Sequence, residues 1–456
     1  MKITIIGAAG VRTPLIVRAI QQHQDRLGLE ELSLMDIDEE HLEFIGALIS
    51  PIENSPNPKF HITRTTEPQK ALEGADFVIT TFRVGGIGSR AIDERVPLMH
   101  GILGQETTGA GGFAMGIRSI PVILNYVKLM QKECPQAWLI NFANPAGMLT
   151  ESVIRNTSWR RVVGICDTPS SMHRTIARVL QVDPDEIYLD YFGLNHLGWI
   201  KRIIFRNQDQ LPKIFDYIIN EAGLPGIPFD PDLISSLGLI PNEYLYYYYY
   251  SAQAVNNILQ AGETRGEQIA KLSLKLFDEL KVRSMDHDID GMLAIYQSYL
   301  EDRSSTYMVM ETGKVHDFSQ LNQATSNPMI DEGYAGVALN LIDALIGNNV
   351  RTQIFNVPNQ GSINGMDQQD VVEIPCLVSY DHIQPLAVGE IPAHCMGLIK
   401  QVKHYEHLTI EAVVEGSYPK ARLALSIHPL VRDYGFAGTI LDEYIFRHQG
   451  IFPEFK

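Results

Sequence analysis

Ile3-Thr-Ile-Ile6, Gly7-Ala-Ala-Gly10, Val11-Arg12, Thr13-Pro14: a short apolar run breaks into a glycine turn, and a proline follows where a helix would open. Thr13 reads as an N-cap and Pro14 as the first helical residue, with the helix running to about residue 25. Strand, tight turn and helix in that order open a dinucleotide-binding unit. The third glycine of G-x-G-x-x-G is missing, and a glycine turn after a first strand is often purely structural. Two features favour the cofactor. The turn sits at the very N-terminus, and the next strand-like run, Leu32-Ser-Leu-Met-Asp36, ends in a carboxylate. An acid there accepts ribose hydroxyls and repels a 2′-phosphate, which favours NAD over NADP.

Outward from this stretch the alternation continues. Ala75-Asp-Phe-Val-Ile-Thr-Thr81 and Ala137-Trp-Leu-Ile-Asn141 read as buried strands, each followed by polar turns with Gly or Pro. The pattern predicts an α/β fold with a doubly wound parallel sheet, and ligands at the carboxyl ends of its strands. After about residue 165 it loosens. Strands are expected near 187–206 and 370–379, and helices near 243–260, 265–280, 333–347, 394–406 and 411–425. The expected division is a Rossmann-like NAD-binding domain over 1–163 and an α+β lobe over 164–456 for substrate, metal and self-association. The whole has a lactate/malate dehydrogenase-like architecture.

The chain has 456 residues, 45% of them hydrophobic, which is enough for two lobes with real cores. A net charge of −17 argues against nucleic acid or an anionic membrane as the main partner. No signal-peptide pattern is read at the start, and no apolar stretch approaches the ~20 residues of a membrane span. Four scattered cysteines (134, 166, 376 and 395) make no disulfide framework. A reducing cytoplasm is the expected setting.

Cys166 and His196 each follow a strand-like run, Arg161–Ile165 and Ile187–Asn195. Alone, a cysteine is most often a small buried hydrophobe and a histidine a satisfied, partly buried side chain. Together at strand ends they read as an incomplete metal site, with open positions for substrate oxygens. Asp167 is either a turn carboxylate before Thr168-Pro169, an outer partner of the metal ligands, or a general acid. Asn144 in Asn144-Pro-Ala-Gly147 is either a plain Asn-Pro turn or a group placed beside nicotinamide and sugar. Tyr244-Leu-Tyr-Tyr-Tyr-Tyr-Tyr250 reads mainly as aromatic packing, although a phenol beside a cation can serve as a base. Arg83, Arg90, Arg95, Arg118 and Arg265 are isolated basic residues, and most arginines are solvated surface; the run Arg83-Val-Gly-Gly-Ile-Gly-Ser-Arg90 after a strand is the better anion-clamp candidate.

Arg83-Val-Gly-Gly, Arg90-Ala-Ile-Asp-Glu-Arg95, Gly104-Gln-Glu-Thr-Thr-Gly-Ala-Gly-Gly112, Asn144-Pro-Ala-Gly147, Gly164-Ile-Cys166 and Gly193-Leu-Asn-His196, in this order, resemble glycoside hydrolase family 4. The resemblance continues through Tyr244-Leu, Thr264-Arg265, Asn356-Val-Pro-Asn-Gln-Gly361 and His428-Pro-Leu430, and so spans essentially the whole chain. It is closest to the 6-phospho-β-glucosidase branch. The family implies NAD and a divalent metal, usually Mn²⁺, and a redox-assisted elimination outside the two-carboxylate scheme. Hydride leaves C3 for NAD, the ketone acidifies C2, a base takes the C2 proton, and the aglycone departs. Water then adds and NADH restores C3.

By position, the resemblance makes Cys166 and His196 the metal ligands, Tyr244 the C2 base and Asp167 the general acid. Arg90, Asn144 and Arg265 match substrate-binding positions. Gly7, Gly10, Val11, Arg12, Asp36 and Arg83 fall on the cofactor side. A homodimer or homotetramer is implied. Two departures stand out. Val11 and Arg12 replace the small hydroxyl residue usual in phosphosugar members, and Asp167 stands where the phospho-β branch often has Asn. Arg12 is accordingly a candidate new phosphate contact.

The expected activity is hydrolysis of 6-phospho-β-glucosides, with the same mechanism on an unphosphorylated, α-linked or uronic glycoside as the alternative. A 2-hydroxy-acid dehydrogenase would show net NADH production and has no use for a thiolate–imidazole metal site. A non-catalytic NAD or sugar sensor would bind cofactor without turnover.

Overall fold

The first strand, β1 (Lys2–Ile6), is buried from Ile3 onward and pairs in parallel with β2 (Glu31–Met35) and β4 (Phe77–Thr80). These elements belong to a computed structural model that describes residues 1–55, 59–221, 223–314 and 332–456. With β3 (His61–Thr65), β5 (Trp138–Asn141) and β6 (Val162–Gly164) they build a parallel sheet in the order 3-2-1-4-5-6. This is the doubly wound order, and the strand sequence reverses between β1 and β4, where such folds open their ligand crevice. The first helix, α1 (Thr13–Gln22), follows the glycine turn. Later helices that matter for the site are α2 (Gly86–Leu98), α3 (Gly109–Glu133), α4 (Ala146–Asn156), α5 (Thr168–Leu180), α6 (Arg265–Met285), α7 (Ile289–Ser305) and α8 (Ala393–Glu415).

Three expectations need correction. Arg12, not Thr13, is the N-cap of α1, and its side chain makes no capping bond; Thr13 is already helical and buried. The turn closes through its own backbone instead, Gly10 N donating to Gly7 O at 3.2 Å and Thr13 N to Gly10 O at 3.0 Å. The stretch 411–425 is not one helix: α8 runs on to Glu415, stops at Gly416 in the left-handed region, and a new helix starts at Tyr418. Also, α3 is 25 residues long and apolar enough by length and composition to cross a membrane, with 61% of its most apolar window buried in the fold. Arg118 within it is fully buried, so it is a core helix.

The large sheet does not end with β6. A strand the sequence pattern did not signal, β11 (Arg351–Pro358), pairs antiparallel with β6 through Asn356 and Gly164. β12 (Val371–Ser379) and β13 (His382–Pro385) extend it to nine strands. A smaller sheet holds β7 (Ile187–Leu194), β8 (Leu197–Phe205), β9 (Gln208–Asp209) and β10 (Ile240–Pro241). One apolar core runs from Ile3 and Ile5 to Ile374, Leu425 and Tyr444, so both halves of the chain bury their faces together. A satellite core joins Phe44, Leu48, Leu280, Met292, Tyr296 and Tyr299, with Val11 packed on it.

Helices α2 and α3 are pinned by a buried charge group. Arg118 donates from Nη1 to Asp93 Oδ1 at 2.7 Å and from Nη2 to Oδ2 at 2.6 Å, and His448 Nε2 lies 2.9 Å from the same carboxylate. Removing one member of such a pair leaves a charge stranded out of water. Arg118→Leu is expected to lower unfolding free energy by about 3–5 kcal/mol in urea titration. A loss below about 1 kcal/mol would show that the pair does not hold the two helices.

Candidate active site

Gly7 has φ +95°, and a Cβ there would sit 2.3 Å from the backbone nitrogen of Phe82. Only glycine lets the turn after β1 lie this close to the chain leaving β4. Asp36, one residue past β2, accepts from Ala9 N at 2.9 Å and Asp38 N at 3.1 Å. Its pKa is raised, chiefly by burial. Gly7, Gly10 and Asp36 thus lie together at the carboxyl ends of β1 and β2, with Arg12 at the end of the same turn. Val11 contributes its carbonyl, which accepts from the Tyr296 hydroxyl at 2.6 Å and ties α7 to the turn.

Cys166 follows β6 and precedes α5, while His196 is at the tip of the β7–β8 hairpin. The two chains meet: Cys166 Sγ lies 3.5 Å from His196 Nε2. The hairpin is tight, Leu194 pairing with Leu197 across Asn195-His196, and His196 takes the left-handed conformation at φ 62°. Histidine is among the few non-glycine residues enriched there. Gly193 just before the tip permits the close approach, since a Cβ on it would fall 2.1 Å from Leu197 O.

The imidazole is held from two further sides. Tyr244 stacks on it with ring centroids 3.7 Å apart and planes within 12°. Thr107 Oγ1 lies 2.6 Å from Nδ1. The Thr107 hydroxyl also donates to Gln105 Oε1 at 3.0 Å, an oxygen fixed as acceptor by the Thr107 and Thr108 backbone N–H groups. A hydroxyl that spends its proton there accepts from Nδ1–H, which leaves the Nε2 lone pair aimed at Cys166. Burial lowers the imidazole to about 4, so it is neutral, as a metal ligand must be.

The donor set fits a divalent first-row ion. Bonds of about 2.0–2.3 Å to nitrogen and sulfur place neighbouring donors roughly 3–3.6 Å apart. Burial, with Glu373 and Asp167 nearby, pushes the Cys166 thiol well above its ordinary range, so no neighbouring group in the protein makes it a thiolate. A coordinated metal does so outright. Glu151, Asp370 and His407 also offer three ligand atoms close together. There, however, Lys403 Nζ already lies 2.5 Å from Glu151 and Arg155 Nη2 2.8 Å from Asp370, so protein cations fill that site.

Beside the pair lies a charged cluster. Arg83 and Arg90 both bond Glu106, Arg90 Nη1 at 2.6 Å from Oε2. Arg90 Nε also donates to Glu94 at 2.8 Å, and the other oxygen of Glu94 accepts from Gly266 N at 2.6 Å. That bond seats Arg265, the first residue of α6, against α2. The arginines hold Glu106 far below the usual carboxylate range despite burial. Tyr244 shares a hydrogen bond with Tyr307, and burial pushes its phenol well up, the wrong direction for an unaided base. Arg90 is a cation within electrostatic reach of it.

Asp167 caps the start of α5 without a side-chain capping bond, and its Oδ1 lies 3.9 Å from Cys166 Sγ. Asn144 lies in the loop after β5, ahead of a cis Pro145. That loop is shaped by Asn141, whose Nδ2 donates to Ala143 and Ala146 carbonyls at 3.2 and 3.1 Å. Because β5 pairs in parallel with β6, Asn144 and Cys166 leave adjacent strand ends.

Tyrosines 246–250 are packing residues: Tyr246 stacks on Tyr250, Tyr247 bonds Glu311, and Tyr249 accepts from Trp199. Sequence reasoning missed Glu106 and Thr107, although both lie in the Gly104–Gly112 motif. It also missed Glu243, which accepts from Thr168 at 2.9 Å and is raised to about 7 by burial, and Tyr307 and Arg303, which no motif marks.

A glycine turn and carboxylate at the strand ends of a doubly wound sheet, with a thiol–imidazole pair nearby, fit the class of cofactor-assisted enzymes. Two family models for family 4 glycosyl hydrolases match, one over residues 2–182 and the C-terminal-domain model over 191–431. The chain belongs to glycoside hydrolase family 4. It is 33% identical over 466 residues to a probable 6-phospho-β-glucosidase of Bacillus subtilis, covering 100% of this chain and 98% of that one. It is 29% identical over 472 residues to 6-phospho-α-glucosidase 1 of Lacticaseibacillus paracasei, with 100% and 98% covered. The crystal structure of the Thermotoga maritima 6-phospho-β-glucosidase with manganese, NAD⁺ and glucose-6-phosphate superposes with a TM-score of 0.83, at 28% identity and 100% coverage of both chains.

Thr107→Val keeps the shape and removes the hydroxyl that orients His196. Mn²⁺ affinity, read by equilibrium titration, should fall roughly 10- to 100-fold, with Thr107→Ser near wild type. Equal affinity in all three proteins would show that Thr107 does not orient the imidazole.

Proposed function

We propose that the protein hydrolyses 6-phospho-β-glucosides, with Cys166 and His196 holding a divalent metal such as Mn²⁺ and Gly7, Gly10, Asp36 and Arg83 facing NAD. The observation that carries this is the thiol–imidazole pair at 3.5 Å beside the dinucleotide crevice of a family 4 chain. When bound, NAD would exchange a hydride with C3, and the metal ion would polarise the C2 and C3 oxygens, which acidifies C2.

The protein's own groups supply the rest. Tyr244 takes the C2 proton. Its phenol starts high because it is buried beside Tyr307 and Glu243, so it acts only once cationic charge faces it, from Arg90 and from the loaded site. Asp167, on the other side of Cys166, delivers a proton to the departing aglycone oxygen. Arg90, Asn144 and Arg265 hold the sugar, and Arg90 is kept rigid by two carboxylates. The β-linked preference follows the more similar of the two relatives, and the α-linked substrate is the second reading. A cytoplasmic homodimer or homotetramer, taking phosphorylated sugars after uptake, belongs to the same proposal.

The test is aglycone release from 4-nitrophenyl β-glucoside 6-phosphate, its α anomer and the unphosphorylated β-glucoside, with NAD, Mn²⁺ and a thiol reductant. Release from the phosphorylated β substrate, lost in EDTA and restored by Mn²⁺, is expected. Exclusive turnover of the α anomer or the neutral glycoside would overturn the substrate assignment. Cys166→Ser should lower turnover roughly 100-fold or more. Near-normal activity with stoichiometric metal in that variant would contradict the ligand role.

A further inference from the structure

Glu373 on β12 is 1% exposed, and its neighbours in the strand, Val371, Val372, Ile374 and Cys376, are buried and apolar. A carboxylate is costly to bury in such a run, and packing alone would be served by another apolar side chain. Three donors from other elements meet it. Tyr191 on β7 donates its hydroxyl to Oε2 at 2.8 Å. Asn195 in the β7–β8 tip and Asn356 on β11 donate their amides to Oε1 at 3.2 and 3.0 Å. An ionised carboxylate only accepts, through about four lone-pair directions on two oxygens, so it takes all these donors without opposing a donor of its own.

Each donor belongs to a segment that carries a residue of the site. Asn195 immediately precedes His196. Asn356 pairs with Gly164 on β6, two residues before Cys166. The Tyr191 hydroxyl accepts from Asn242 Nδ2 at 3.1 Å, and Asn242 stands two residues before Tyr244. Two glycines let these side chains close in. A Cβ on Gly164 would fall 2.9 Å from Asn356 Cβ, and one on Gly147 would fall 3.2 Å from Asn195 Cβ. The last residue of the Asn144–Gly147 motif thus serves this network.

We infer that Glu373 is a positioning residue: it fixes the backbone of the β7–β8 tip against that of β6 and thereby sets the spacing of Cys166 and His196 for a divalent metal. The inference rests on the proposed metal-ligand role of those two residues. The carboxylate acts through Asn195 on one side and Asn356 on the other. Outer partners of this kind hold a metal's ligands in the geometry the ion needs, and their loss weakens binding while the ligands themselves remain. The tip needs such a tether, because His196 is held in the left-handed region at φ 62°.

The test is a Co²⁺ titration of the metal-free protein, followed by thiolate-to-cobalt charge-transfer absorption, which reads the Cys166 bond without substrate or turnover. Absence of the band in Cys166→Ser assigns it. Glu373→Met keeps the volume and removes both acceptors, and Co²⁺ affinity should fall roughly 10- to 100-fold. Glu373→Gln keeps an oxygen for the two amides and should recover most of that loss. Asn195→Ala cuts one arm; combined with Glu373→Met it should add little to the single variant, because both break the same link. NAD affinity should match wild type in every variant, which shows that the large sheet is intact. Unchanged Co²⁺ affinity in Glu373→Met, or fully additive losses in the double variant, would overturn the inference. Loss of NAD and Co²⁺ binding together would also overturn it, by making the role purely structural. A wild-type protein that never develops the band would instead defeat the metal-ligand reading on which the inference stands.

Discussion

The site depends on one contact between separate parts of the chain, Cys166 Sγ and His196 Nε2 at 3.5 Å. Neither side chain can reach far, so the two backbones must be brought to the same point. Cys166 is delivered by the parallel sheet, one residue beyond Ile165, whose N–H bonds Asn141 O. His196 is delivered by a hairpin so tight that its tip residue takes a left-handed conformation, at a cost of about 1–2 kcal/mol. Gln105 and Thr107 come from a third segment, the loop before α3, and set the imidazole's tautomer. Glu373 on β12 closes the back of the arrangement, accepting from Tyr191, Asn195 and Asn356. Four regions far apart in sequence are therefore committed to placing two atoms.

The charged cluster beside this pair follows a related logic. Buried cations are tolerated only when paired, and here two carboxylates are divided between two arginines. Glu106 serves Arg83 and Arg90, while Glu94 serves Arg90 and a backbone amide. The result is a linked set of ion pairs, two arginines against two carboxylates, inside a chain whose overall charge is −17. Arg90 of this cluster is also the cation within electrostatic reach of the buried Tyr244 phenol.

Much of this was legible in the sequence. The glycine turn and Asp36 carried the dinucleotide crevice because tight turns and strand ends have local signatures. The motifs around Cys166, His196 and Gly104–Gly112 carried the family. What stayed hidden was tertiary. The strand Arg351–Pro358 starts with three polar residues, none of them buried, and ends at a proline, so its pattern resembles a loop until β6 and β12 supply partners. Thr13 looked like a cap because Pro14 follows it, but the turn closes on its own backbone one residue earlier. Glu106 was inside a recognised motif, yet its pairing with two arginines depends on how α2 meets the loop before α3.

One step sets the proposed mechanism apart: the glycosidic bond breaks by loss of the C2 proton, not by direct attack at C1. The measurement is NMR of the glucose 6-phosphate released when the enzyme turns over an unlabelled phosphoglucoside in D₂O with NAD and Mn²⁺. Deuterium at C2 of the product is predicted, because the proton lost to the proposed base, Tyr244, is replaced from solvent. Full retention of the original hydrogen at C2 during productive turnover would contradict the elimination and leave the cofactor crevice without its assigned part in the reaction.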